Sequence, residues 1–336
     1  MNATENALQV DAENSTAALI IFMTAGAGVV INVYAIMVVF WLQLQKNSFG
    51  ILCLAHEIPD VIILTSFAMF CAPVTYFQIN TQKAEELSRL LGHIDFIAWN
   101  ITVYSHVHVA VNRFVSIYLP LTYRNTFTRR NTCFLVLIYT TLATLQTTPL
   151  FFEGCYLYYI PSMYLWSFSP TACGAALQTG DMSLGISLMT IVMGIDFCTF
   201  LKIRKTMKAI SMNTTSEDRR QQKQEIRFYM QALVQSTVYI IKKLCFYVFS
   251  RFMTTKWTLF FFTFYAWMMC HLLDGLILII YNYRKLKSHS NVYTSSTPIS
   301  GALSASHTGT KSNGERITIC YKYDTLIYPV FVFAEF

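Results

Sequence analysis

Apolar residues are gathered into seven long blocks separated by short polar breaks. The blocks span 17–42, 49–74, 92–118, 132–152, 181–203, 228–253 and 257–283. A helix needs ~20 mostly apolar residues to cross a hydrocarbon core ~30 Å thick, and each block is long enough with some tilt. The first carries no charge at all. The sixth is interrupted by Lys242 and Lys243. The pattern predicts an all-α membrane protein, a bundle of seven transmembrane helices. No cleavable leader is expected, because no basic segment precedes the first block and that block is too long.

Composition agrees. Of 336 residues, 54% are hydrophobic and only 13% are charged, about half the usual charged share of ~25%. So few charges could not cover a soluble surface, and the same figures exclude disorder, collagen and coiled coil. Nine cysteines are too few, in so long a chain, for a disulfide-built scaffold.

The placement of charge predicts orientation. Nineteen of the 25 lysines and arginines fall beside one set of block ends, four beside the other, and two inside the sixth block. Cytoplasmic loops carry the excess of Lys and Arg. The N-terminus is therefore expected outside and the C-terminus inside. Residues 1–16 form an outer tail, 17–285 the membrane domain, and 286–336 a cytoplasmic tail that is mostly disordered. Two glycosylation triplets, at Asn2 and Asn14, fall in that outer tail. A third, at Asn213, falls inside and should be silent.

Ionisable residues in a bilayer are costly and are functional candidates by default, against the plainer reading that they hold helices together. Here they include His56, Glu57, Asp60, Asp95, His106, His108, Arg113, Asp196, His271 and Asp274. Metal binding is not expected. His106 and His108 are two apart on a helix and face different ways, and there is no Cys-x-x-Cys. No catalytic motif or phosphate loop occurs, and no cofactor is implied. A membrane enzyme would need convergent groups, for which His56, Glu57 and Asp60 are the lone candidate. A transporter would be expected to show internal repeats, which are absent. The basic loop after the fifth block would meet anionic lipid headgroups before any nucleic acid.

Asn32 in the first block, Asp60 in the second and Arg113 ending the third resemble the core of the rhodopsin-like receptors. That resemblance implies a polar network of Asn32, Asp60 and Asp274. It also implies a heterotrimeric G protein as partner, read by Asn112, Arg113, Arg124, Arg204 and Lys205. Two carboxylates as close as Asp60 and Asp274 would share a proton or hold a sodium ion. The chain departs from the common pattern: Asn112-Arg113-Phe114 stands for Asp-Arg-Tyr, and Asp274-Gly275 for the Asn-Pro of the seventh span. The Trp of span four and the Trp-x-Pro of span six are missing. These departures argue against a mainstream amine or peptide receptor.

The departures themselves resemble the nematode serpentine chemoreceptors of class X. The matching runs are NSFGILCLAH from Asn47, YSHVHVAVNRFVSIYLPLTY from Tyr104, CYLYYIP with WSFSPTACG after the fourth block, and HLLDGLILIIYNYRK from His271. They cover about 47–285. The resemblance implies a chemosensory receptor with an unidentified small-molecule ligand, multi-pass in the plasma membrane, in sensory-neuron cilia. A neuropeptide-type receptor is the alternative, a channel or transporter a more distant one. The family pattern places both Cys155 and Cys173 in the loop after the fourth block, which implies that they pair. Cys71 is the alternative partner.

Lys242 and Lys243 lie 15 and 16 residues beyond Arg227, or roughly 22–24 Å up a helix rising 1.5 Å per residue. Being ~100° apart, one should face the bundle and the other snorkel toward headgroups. An inward ammonium among Asp95, Tyr239, Phe246 and Tyr265 would suit a ligand bearing a carboxylate. The competing reading is a structural pair with Asp95 or Glu153. Residues 288–312 are rich in Ser and Thr, and phosphorylation there would recruit an arrestin-like partner. Residues 317–336 are apolar but match nothing in the family.

Overall fold

The computed structural model describes the backbone of residues 3–210 and 216–295, and the side chains of 11–205, 226–283 and 285–287. Asn2, Asn213 and residues 296–336 lie outside the described residues. So do the side chains of Lys208, Arg219, Arg220 and Lys223.

The chain is a bundle of helices. Helix α1 (Ala3–Trp41) is span one. It begins at Ala3, so what reads as a free tail over 3–16 is its first turns. It packs through small residues, with Ala17, Ala25 and Ala35 buried, while Leu19, Phe22, Met23, Val30 and Phe40 face outward. This is how membrane helices approach closely when burial from water does not drive them together. Span two is α2 (Ser48–Ser66), a π turn (Phe67–Cys71) and α3 (Ala72–Phe77). Pro73 lacks the N–H that would continue the ladder, and the wide turn before it absorbs the defect. Span three is α4 (Gln82–Tyr118), followed by α5 (Pro120–Thr126). Span four is α6 (Arg129–Gln146).

A hairpin follows, with β1 (Leu157–Ile160) antiparallel to β2 (Leu165–Phe168) and Leu157 opposite Phe168. Spans five and six are α7 (Ala172–Ile210) and α8 (Ser216–Tyr247). Span seven is α9 (Lys256–Phe260), a second π turn (Phe261–Tyr265) and α10 (Ala266–Ser295). The two π turns meet: Phe67 lies edge-on to Phe264, with ring centres 4.7 Å apart.

Among the described residues, five stretches are long and apolar enough to cross a bilayer by themselves: Asp11–Trp41, Ser48–Phe77, Ala172–Lys205, Ile226–Phe252 and Lys256–Tyr283. α4 and α6 do not meet that measure. α6 has 18 residues, four of them threonines. α4 carries many polar residues but buries them, with Asp95, Asn100, His106, Asn112 and Arg113 all shielded. A central helix need not be apolar when its neighbours cover it.

Candidate functional site

Three layers of polar chemistry lie along α4. The first is a cavity of about 190 Å³ beneath the hairpin, with Trp99, Phe168, Asp181, Lys242, Tyr247 and Trp267 on its walls. The hairpin is fastened over it. Cys155 and Cys173 are joined, with Cα atoms 5.4 Å apart. Tyr159 donates its backbone N–H to Ser88 Oγ at 2.7 Å. A Cβ at Gly92 would fall 2.2 Å from the Leu157 carbonyl oxygen, so glycine is what lets the strand lie against α4. At the turn, the Tyr164 hydroxyl donates to Asn14 Oδ1 at 2.6 Å. Burial, then nearby Glu13, push the Tyr164 phenol up to about 12, so it remains a donor at physiological pH.

Inside the cavity the two lysines divide their roles. Lys243 Nζ lies 3.4 Å from Asp181 Oδ2. Asp181 also accepts from Trp99 Nε1 at 2.9 Å and from the Tyr247 hydroxyl. Lys242 Nζ sits 3.4 Å from the centre of the Trp99 ring. Among the described residues no carboxylate lies within ion-pairing distance of it. Both lysines are buried, so neither snorkels outward as expected. Although their Cβ atoms diverge, four-carbon stems let both ammoniums reach the same indole. The pairing acid is Asp181, not Asp95 or Glu153. Asp95 is off the cavity wall and accepts from Ser66 Oγ at 2.7 Å. Tyr239 lies beneath the floor, stacked on Trp99 at 5.2 Å. Tyr265 packs on Phe261 instead of facing the cavity.

The second layer lies deeper. Asn32, Asp60 and Asp274 do meet there, but through histidines. Asn32 Nδ2 donates to the His271 carbonyl at 3.0 Å. A Cβ on Gly275 would sit 2.6 Å from Asn32 Oδ1, so glycine opens that approach. His271 Nδ1 is 2.7 Å from Asp60 Oδ1, and His56 Nε2 is 3.4 Å from Asp274 Oδ2. The histidines stood out singly in the sequence. Their role as bridges did not, because it depends on which helices face each other.

The third layer is the other end of α4. Arg113 is 1% exposed. Its Nη2 donates to Asn112 Oδ1 at 2.7 Å, and Asn112 Nδ2 donates to Ser48 Oγ at 2.9 Å. The guanidinium lies 4.0 Å from the centre of the Phe49 ring and 5.5 Å from that of Phe228. Aromatic rings from α2 and α8 thus lie against it. Arg124, Arg204 and Lys205 are exposed. α7 reaches this end, since Tyr118 donates to the Cys198 carbonyl.

Asn14 is a correction. It is 3% exposed, lies inside α1 and holds Tyr164. A glycan has no room there.

The fold is that of a rhodopsin-type seven-helix receptor. Squid rhodopsin, known from its crystal structure, superposes with a TM-score of 0.66 over 85% of this chain and 87% of that one, at 13% identity. Residues 22–282 match the family described as "Serpentine type 7TM GPCR chemoreceptor Srx", and the chain belongs to that family. Two relatives come from Caenorhabditis elegans. Serpentine receptor class X 45 is 28% identical over 282 residues, covering 79% of this chain and 78% of the relative. Serpentine receptor class X-43 is 20% identical over 304 residues, covering 88% and 94%. The chain is thus a multi-pass membrane protein of a chemoreceptor family, not of an enzyme family.

Proposed function

We propose that this receptor binds a small ligand carrying a carboxylate or similar anionic group beneath the hairpin, and activates a heterotrimeric G protein at the Arg113 end. The observation that carries the ligand class is Lys242. Its ammonium borders a cavity with an aromatic wall and has no carboxylate within ion-pairing distance among the described residues, while Lys243 is already matched by Asp181. A buried cation without a counter-ion is expensive, and an anionic ligand would supply one. The coupling assignment is supported by Arg113, held in place by Asn112 and two phenylalanines and flanked by exposed Arg124, Arg204 and Lys205. The distribution of Lys and Arg supports an outside N-terminus. In that orientation the hairpin and cavity would face the exterior of the plasma membrane, as a receptor on sensory cilia requires. An arrestin-like partner would act on the tail, which lies outside the described residues.

The test is to express the full chain in cells and apply panels of small carboxylates, amines and neutral odorants. Cyclic AMP, calcium and membrane current are then recorded. The reading expects a carboxylate to raise a G-protein-dependent signal. A current that persists with G proteins blocked would make the protein a channel instead.

A further inference from the structure

We propose that the middle of the bundle contains a binding site for a divalent transition metal of the zinc type, formed by His56, His106 and Asp274 with a water from the neighbouring void as the fourth ligand.

The argument begins with protons. His56 Nδ1 lies 2.6 Å from Ser105 Oγ. The Ser105 hydroxyl hydrogen is already given to the Thr102 carbonyl at 2.8 Å. Ser105 therefore accepts from His56 Nδ1–H, so Nε2 is the ring atom turned toward the carboxylates, and a metal would bind there in place of any proton. That atom faces Asp274 Oδ2 at 3.4 Å and Asp60 Oδ2 at 3.9 Å. His56 Nε2, Asp60 Oδ2 and Asp274 Oδ1 are all buried without a hydrogen-bond partner among the described residues. His106 Nε2 is likewise buried and has no hydrogen-bond partner among the described residues. One donor atom each from His56, His106 and Asp274 falls within 4.8 Å of the others.

Such an arrangement is what a cation requires. Zinc bonds of 2.0–2.2 Å in a tetrahedron separate neighbouring ligand atoms by about 3.3–3.6 Å, and the His56–Asp274 distance is already in that range. Ser105 supplies the outer hydrogen bond that fixes a metal-binding imidazole. Charge argues in the same direction. A divalent cation here would also be matched by the carboxylate of Asp274 and that of neighbouring Asp60. Mixed nitrogen and oxygen donors suit zinc better than calcium or magnesium, which prefer all-oxygen shells.

A second grouping, Asp60, His271 and Asp274, also lies within 4.8 Å. Its histidine is already committed. The Trp267 indole N–H donates to His271 Nε2 at 2.7 Å, so His271 carries its hydrogen on Nδ1 and gives it to Asp60 Oδ1. His271 therefore positions Asp60, leaving Asp60 Oδ2 turned toward His56. Beside the site, His56, Glu57 and His106 border a void of about 10 Å³, close to the space of one water molecule. Both Glu57 oxygens are buried without a partner among the described residues. The sequence argued against a metal because His106 and His108 diverge. The second histidine comes instead from α2.

This inference does not depend on the ligand reading, and its test uses no agonist. Full-length receptor purified in detergent is stripped with a chelator, then titrated with Zn²⁺ and, separately, Co²⁺. We expect one Zn²⁺ per chain and the visible absorption of four-coordinate Co²⁺. X-ray absorption should place nitrogen and oxygen ligands at about 2.0–2.2 Å. Ser105→Ala should weaken Zn²⁺ binding roughly 10–100-fold. His106→Gln and Asp274→Asn should weaken it further, while His108→Gln leaves it unchanged. If His106→Gln fails to fold, as judged by metal-free melting, the wild-type Co²⁺ spectrum decides alone. No stoichiometric Zn²⁺, six-coordinate all-oxygen Co²⁺, or unaltered affinity in folded His106→Gln would each overturn the proposal.

Discussion

Lys242 rests its ammonium 3.4 Å from the centre of the Trp99 ring, and that ring's N–H is donated to Asp181, the partner of Lys243. One indole thus serves two lysines by different faces of its chemistry. Cation–π attraction is worth about 2 kcal/mol when desolvated. That is less than the several kcal/mol lost in burying the charge. Trp99 holds Lys242 in position without neutralising it.

The two lysines should therefore respond differently to substitution. Lys243→Met leaves Asp181 without its cation and should lower stability by roughly 3–5 kcal/mol, the usual cost of breaking a buried pair. Adding Asp181→Asn should restore much of it. Lys242→Met removes an unmatched charge and should melt no lower than wild type. Thermal unfolding of the purified receptor checks this. Equal losses in both single variants would contradict the division of roles.

Arg113 lies against Phe49 and Phe228, which pack on each other with ring centres 4.6 Å apart. Arg113→Ala is expected to abolish G-protein activation while surface expression stays near normal. Phe228→Ala removes the α8 ring packed beside Arg113 and should raise ligand-independent signalling severalfold. Nucleotide exchange on a co-expressed G protein, normalised to surface receptor, measures both. Full signalling by Arg113→Ala would remove this residue from the coupling role.

The burial of Asn14 against Tyr164 gives a simple check. Asn14→Gln should leave the glycosidase-sensitive mass of the receptor unchanged. A loss of one glycan's mass on a gel would mean that this end of α1 opens in the cell.

The Cys155–Cys173 bridge closes a loop that contains the entire hairpin. Replacing both cysteines by alanine should cost about 3 kcal/mol in a chain-entropy account. It should also weaken ligand binding, because Leu157, Leu165 and Trp166 border the cavity. Melting and ligand dose–response of the double variant report the two effects. Unchanged melting and potency would show the hairpin to be held by its other contacts alone.

Seven spans could be read from sequence because apolar blocks are a local signal. The start of α1 could not, since Asp11, Glu13 and Asn14 look like a solvated tail until Tyr164 is seen against Asn14. Asn32, Asp60 and Asp274 stood out as polar residues in apolar surroundings. Their linkage through His56 and His271 rests on helix packing and leaves no mark in the spacing. Asp181 read as the edge of a block, where an acid is unremarkable. It proves to be the counter-ion of Lys243 because α7 turns that first acid inward. Tyr265 looked like a cavity residue from its position in span seven, but it packs on Phe261 and is not on the cavity wall.

The most direct test of the account is the dose–response of Lys242→Met to a carboxylate agonist found in the cell-based panel, measured as G-protein activation beside wild type. A desolvated ion pair to the ligand predicts a half-maximal concentration raised by at least about 30-fold, equivalent to ~2 kcal/mol. Surface expression should be unchanged, and the uncharged amide of the same ligand should be equally weak on both receptors. Wild-type potency in Lys242→Met would contradict the assignment of this cavity and of the anionic ligand class together.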